Sequence, residues 1–164
     1  AELVRRLNIQ VSKHAPPSRF ITLFLGLFDP RTGELEYVNA GQTPPLLLRA
    51  SGAVDKLSTG GIALAMFEQS TYQSGRTRLD PGDALIMYSD GITEAEAPNG
   101  QMFEDVGLEA AVRATPGVAA GVLGRAVFAA VDHHRQGEKL ADDLTVLVLS
   151  RPVVPPVPPF VPAV

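Results

Sequence analysis

The sequence predicts an α+β domain, a layered sandwich in which antiparallel sheet carries helices on its faces. Three observations predict it. The order of patterns is one helical stretch, a series of short apolar strands, two more helical stretches and a final strand. The strands are joined by proline and glycine turns rather than by helices, so the regular alternation of a doubly wound fold is absent. The composition, 45% hydrophobic and 20% charged over 164 residues, suits one domain with a single core and excludes wholesale disorder.

Leu3, Val4, Leu7 and Val11 recur at helical spacing, which predicts a helix over 1–12. Pro16-Pro17 closes it, because proline has no amide hydrogen and restricts the residue before it. Phe20, Phe24 and Phe28 stand at i, i+4, i+8, yet the β-branched and glycine content and the turn that follows favour a strand. That run is apolar without strict alternation, as expected of a strand covered on both faces. Asp29-Pro-Arg-Thr-Gly33 is a turn, and Leu35, Tyr37 and Asn39 alternate behind it, so 20–29 and 34–40 read as an antiparallel hairpin.

Short strands are expected at 45–50, 53–57 and 71–79. Between them, Gly60-Gly61 is not followed by Lys and Ser or Thr, so it reads as a flexible loop rather than a phosphate cradle. Asp80-Pro-Gly-Asp83 is a turn leading into the buried strand Ala84–Tyr88. Helices are expected over 104–114 and 117–135, with Pro116 near the start of the second. Leu144–Leu149 is the last strand, and with Phe20–Phe28 and Ala84–Tyr88 it is expected to be among the most buried. The domain is expected to span 1–151. Residues 152–164 carry six prolines and read as an extended or disordered tail.

Charge and composition exclude several functions. The net charge is −4, and Arg5-Arg6 and the Arg76, Arg78 pair are too small to make a basic stripe, so no nucleic-acid partner is expected. The absence of cysteine excludes disulfides, thiolate zinc sites and cysteine nucleophiles, and fits a cytoplasmic location. No apolar run approaches the ~20 residues that span a bilayer, so no membrane partner is expected. Ala1 falls inside the first helical pattern without a preceding Met, which reads as an excised piece of a longer protein.

Two acidic features sit at the edges of apolar strands: Ser89-Asp90-Gly91-Ile-Thr-Glu94 after one, and Asp142-Asp143 before the last. Carboxylates at strand ends are held by the sheet while their oxygens reach solvent, and two can converge on one hard cation. The same residues also read as ordinary turns and caps, since Asp-Gly is a common turn pair. On pattern alone both readings stand. His133-His134 point about 100° apart on a helix and, like His14, read as surface residues rather than ligands. Nothing in the sequence locates Arg19 near either acidic feature.

Five motifs then fall in register: Phe20-Ile-Thr22, Tyr37-Val-Asn-Ala-Gly41, Leu79-Asp-Pro-Gly-Asp83, Ser89-Asp-Gly-Ile-Thr-Glu94 and Ala141-Asp-Asp-Leu-Thr145. In order and spacing the chain resembles the SpoIIE/RsbU-like, PPM-type metal-dependent serine/threonine phosphatases over roughly 1–150. The resemblance implies two antiparallel sheets flanked by helices, two Mn²⁺ or Mg²⁺ ions, and a metal-activated water as nucleophile, with no catalytic side chain. It implies Asp90 and Asp142 as metal ligands, Asp143 as a neighbour or occasional ligand and Gly91 at the metal, with Thr145, Glu94, Asn39 and Gly41 as residues that shape the site. It implies a phosphoserine or phosphothreonine protein substrate, in this family a STAS-type anti-anti-sigma regulator.

The chain departs from the family in three places. An upstream Gly-Asp metal motif is not in this sequence, which implies an N-terminally truncated domain with weak metal binding, little activity and an unpaired sheet edge open to homodimer formation. Gln42 stands where the family commonly has His, and Ala65 where Gly is frequent. The alternative reading is a non-catalytic phosphatase-fold module that binds a regulatory partner.

Overall fold

A computed structural model describes residues 1–16 and 18–153. The hairpin forms where the turn chemistry placed it. Asp29 Oδ1 accepts the N–H groups of Arg31 (2.8 Å) and Thr32 (3.4 Å). The turn joins β1 (Leu23–Phe28) to β2 (Glu34–Ala40), which pair antiparallel from Leu23 opposite Ala40 to Phe28 opposite Leu35. On the far side of β2 lie β5 (Gly60–Gly61) and β6 (Gly75–Arg78), completing the first sheet. The second sheet is antiparallel throughout, in the order β4 (Val54–Lys56), β3 (Leu46–Leu48), β7 (Ala84–Tyr88), β8 (Val146–Ser150).

Three apolar clusters stack these sheets between helices, giving the α-β-β-α order. Val4 of α1 (Glu2–His14) packs with Val38, Ala40, Leu64 and Tyr72 on the outer face of the first sheet. Leu35, Tyr37, Leu47 and Leu85 fill the space between the sheets. Leu46, Leu48 and Ile86 face Leu108 and Val112 of α3 (Glu104–Arg113) and Leu123, Val127 and Val131 of α4 (Ala120–Arg135). The period of two explains why Leu46-Leu47-Leu48 is apolar throughout: its odd and even residues enter different clusters.

Polar groups fix the joints. Asp83 is buried, and it accepts hydrogen bonds from Arg49 Nη1 (3.0 Å), Ala50 N (2.9 Å) and Asp80 N (2.9 Å). Those bonds lock the Asp80–Asp83 turn where β7 begins. Asn8 of α1 is also buried; its Nδ2 donates to the carbonyls of Phe67 and Glu68, and its Oδ1 accepts the N–H of Ala65. Ala65 adopts φ 64°, the left-handed region that favours glycine.

Several expectations are corrected. The helices and strands shift by a few residues: α1 extends to His14, β1 begins at Leu23, β6 covers only Gly75–Arg78, and α4 begins at Ala120 rather than at 117. Gly117 at φ 71° breaks helical continuity after Pro116. Gly60-Gly61 is not a loop. It pairs parallel with Asn39-Ala40, so close that a Cβ on Gly60 would lie 1.8 Å from the Asn39 carbonyl oxygen. Apart from that two-residue pairing, the strand ladders are antiparallel, as expected.

The largest correction concerns burial. β7 is central and buried as expected. β1 and β8 instead lie at sheet edges. Phe24 turns inward onto Tyr37, with ring centroids 5.4 Å apart, but Leu27 on the other face is 77% exposed. Val146 and Val148 pack against the helices, while Leu147 is 60% exposed. Apolar content does not by itself bring a second layer over a strand face. Residues 154–164, most of the expected tail, lie outside the described residues.

Candidate metal centre

Asp90 leaves the carboxyl end of β7 and opens a one-turn helix, α2 (Asp90–Thr93). Its Oδ1 accepts the N–H of Gly91 at 3.0 Å. Thr93 Oγ1 and Glu94 N both donate to the Asp90 carbonyl, at 3.0 and 2.9 Å, which fixes the turn. Asp142 belongs to the segment before β8, and its Oδ1 accepts the N–H of Asp143 at 2.7 Å. Asp90, Asp142 and Asp143 are all exposed, and no carboxylate oxygen of the three enters an ion pair among the described residues.

The two acidic segments meet although more than 50 residues separate them. Gly91 is the point of contact: a Cβ there would lie 2.6 Å from the Asp143 carbonyl oxygen and 3.5 Å from the Asp142 carbonyl carbon. Any larger residue would push the segments apart, so glycine is required by close approach. Ser89 spans the same junction, its hydroxyl donating to the Asp143 carbonyl (3.0 Å) and accepting the N–H of Thr145 (3.0 Å). The Ser89 N–H also donates to the Thr145 carbonyl at 3.1 Å.

Asn39 and Gly41 act one step further away. Asn39 is buried; its Oδ1 accepts the Gln42 N–H (2.8 Å), and its Nδ2 donates to the carbonyls of Gln42 (2.9 Å) and Leu57 (3.3 Å). With Gly41 at φ 74°, this shapes a turn that aims the Gln42 side chain across to the second sheet. Gln42 Oε1 accepts the Thr22 hydroxyl (2.8 Å) while its Nε2 donates to the Tyr88 carbonyl (3.3 Å). A groove of about 360 Å³ opens here between the β1 and β8 edges, lined by Thr22, Phe24, Gln42, Met87, Thr145 and Leu147 among others. On the opposite side of β7, the Tyr88 hydroxyl donates to Asp105 (3.3 Å), which also pairs with Lys56. Burial, and then the Asp105 carboxylate, push the Tyr88 hydroxyl well above the usual phenol range. The bond to Asp105 raises the Lys56 ammonium above its ordinary value.

The oxygen donors suit a hard divalent cation, and Asp90 and Asp142 each keep one carboxylate oxygen without a hydrogen-bond partner among the described residues. The fit is partial. No group of three or more Asp, Glu, His or Cys side chains capable of holding a metal gathers among the described residues. Asp90, Asp142 and Asp143 stand on two acidic segments joined at their backbones. Glu94 stands exposed at the end of α2. His134 is not a plain surface residue: its Nε2 contacts the Gln101 carbonyl at 2.9 Å and its ring meets the Phe103 edge. Sequence reasoning missed Ser89 and Gln42. A serine at a strand end looks like an ordinary cap, and nothing near Gln42 in the sequence points to residue 88.

A two-sheet sandwich between helices, with acidic strand ends meeting at one end, defines the class of PP2C-type phosphatase domains. The family profile of Stage II sporulation protein E (SpoIIE) matches residues 1–152, and the chain belongs to that family, whose phosphatases are hydrolases. The chain is 25% identical over 154 residues to the phosphoserine phosphatase RsbU of Bacillus subtilis (strain 168), covering 93% of this chain and 45% of RsbU. It is 37% identical over 101 residues to protein IcfG of Synechocystis sp. (strain ATCC 27184 / PCC 6803 / Kazusa), covering 61% of this chain and 16% of IcfG. The manganese-presoaked structure of the phosphatase domain of the cell fate determinant SpoIIE from Bacillus subtilis superposes with a TM-score of 0.69 at 20% identity, covering 95% of this chain and 68% of that one. The chain thus spans under half the length of RsbU. No helix among the described residues is long and apolar enough to cross a membrane.

Proposed function

We propose that this chain is the larger part of a metal-dependent phosphoprotein phosphatase domain, spanning 1–151, that hydrolyses phosphoserine or phosphothreonine on a STAS-type anti-anti-sigma regulator in the cytoplasm. The observation that carries the reading is the meeting of Asp90-Gly91 with Asp142-Asp143, which puts uncommitted carboxylate oxygens from two strand ends at one end of the sandwich. Asp90 and Asp142 would hold Mn²⁺ or Mg²⁺, with Asp143 beside them and the Gly91 backbone close to the ion. Bound there, the metal supplies an activated water and neutralises charge on the phosphoryl oxygens. Thr145 and Ser89 keep the Asp142 segment in place, Glu94 sits at the rim, and Asn39 and Gly41 act through Gln42.

Two cations ~4 Å apart repel strongly unless carboxylates bridge them, and the two acidic segments supply ligands for about one. The 164-residue chain by itself should accordingly turn over slowly. The test is hydrolysis of p-nitrophenyl phosphate and of a phosphorylated STAS domain with millimolar Mn²⁺, with Asp90→Asn as control. Slow turnover that Asp90→Asn abolishes supports the reading. Turnover unchanged in Asp90→Asn would overturn the assignment of the site.

The absence of a three-ligand group among the described residues favours a second reading, a non-catalytic module of the same fold that binds a regulatory partner. It predicts tight binding of the unphosphorylated STAS domain with no hydrolysis. The exposed apolar residues on the β1 and β8 edges support self-association as a homodimer. Sedimentation should then show a concentration-dependent dimer that Leu147→Lys dissolves.

A further inference from the structure

Ser89 occupies the N-cap of α2, with φ −84° and ψ 159°. A serine there ordinarily turns its hydroxyl back to accept an N–H from the first turn of its own helix. Here it makes no such bond. Its hydroxyl instead reaches a segment 54 to 56 residues further along the chain, donating to the Asp143 carbonyl and accepting from Thr145 N–H, each at 3.0 Å. The β7–β8 ladder ends one residue earlier, at Tyr88 opposite Val146. Beyond that point the Ser89 hydroxyl contributes two of the three hydrogen bonds between the residues that carry Asp90 and those that carry Asp142.

We propose that Ser89 is a positioning residue of the metal centre: its hydroxyl latches the Asp142–Thr145 segment to the Asp90 turn and so sets how the two carboxylates face one cation. The inference rests on the metal-dependent reading above. The latch contributes little to stability, because Asp143 and Thr145 are exposed and water can satisfy their backbone groups when the hydroxyl is gone. Its effect falls on geometry. A hard cation held by two carboxylates depends on their preorganisation, and groups that orient metal ligands are typically worth 10- to 100-fold in affinity. Gly91 and Ser89 then play complementary parts: the missing Cβ permits the close approach and the hydroxyl holds it.

The test compares the wild-type chain with Ser89→Ala and Ser89→Thr, the second keeping the hydroxyl. Three quantities are measured: Mn²⁺ affinity by calorimetry, hydrogen exchange of the Thr145 amide without metal, and Tm. In Ser89→Ala, Mn²⁺ affinity should fall about tenfold. Thr145 exchange should accelerate, and Tm should stay within about 3 °C of wild type. Ser89→Thr should restore both affinity and exchange. Unchanged Thr145 exchange in Ser89→Ala overturns the latch. Accelerated exchange with unchanged affinity overturns its role at the metal, as does failure of Ser89→Thr to rescue. A wild-type chain that takes up no Mn²⁺ at millimolar concentration overturns the proposed function and the metal role together, while the exchange measurement still decides the latch.

Discussion

Asp83 and Asp90 bracket the same strand and look alike in the sequence, each beside a glycine at one end of β7. In the structure they have opposite environments. Asp83 is 3% exposed and takes three hydrogen bonds, one from the Arg49 guanidinium and two from backbone amides. Asp90 is exposed and takes one, from its own neighbour, Gly91. A buried carboxylate with its oxygens satisfied holds a turn together and has little left to offer a ligand. An exposed one with an oxygen to spare, beside a second such acid, adds almost nothing to folding and is available for chemistry. The difference teaches that a strand-end aspartate is assigned by where its acceptor capacity goes, not by its motif.

The widest gap between the two should appear on removing each side chain. Asp83→Ala leaves Arg49 without its buried partner and two amides unsatisfied, which should cost about 3 kcal/mol. Asp90→Ala without metal should cost under about 0.5 kcal/mol. Urea unfolding of both variants measures the contrast, and equal losses would break it. Next in size is Gly91→Ala, whose new methyl meets the Asp143 carbonyl oxygen at 2.6 Å. Moving the Asp142 segment aside should cost about 2 kcal/mol and lower Mn²⁺ affinity in the same variant. If stability fell and affinity did not, the junction would be structural only.

Metal itself should sharpen the comparison. At ten times its dissociation constant, Mn²⁺ should add about 1.4 kcal/mol of stability. Asp90→Asn with Asp142→Asn should abolish that gain, and in Asp83→Asn the metal-dependent increment should persist on a lower baseline. Thermal scans with and without Mn²⁺ read this directly. A smaller contrast should come from Arg49→Lys. Arg49 spans Asp83, Asp55 and the Arg78 carbonyl, and a lysine cannot reproduce that fork. About 1 kcal/mol should be lost, since the guanidinium is partly exposed and its bond to Asp55 is screened by solvent. Mn²⁺ affinity should not change.

The fold class, the first hairpin and the buried β7 were all legible in the sequence, because each rests on neighbours along the chain. Asp29-Pro-Arg-Thr-Gly33 turns through its own side-chain and backbone bonds, and the apolar run Ala84–Tyr88 announces a buried strand. The candidate acids were legible too, by position at strand ends. Their common setting was not, since the contact between Gly91 and Asp143 joins residues 52 positions apart. The strands that proved to be edges were equally hidden. Leu27 and Leu147 stand in runs as apolar as that of Ile86, and a period of two specifies which face a side chain takes, not whether another layer lies over it. Tertiary structure alone decided that Gly60 pairs against Asn39, that Asp83 is saturated while Asp90 is not, and that Ser89 spends its hydroxyl on a distant segment. The bonds that decide these cases, Arg49 and Ala50 to Asp83 among them, come from remote parts of the chain, and a hydrogen bond or a close contact leaves no periodic trace in the residues that make it.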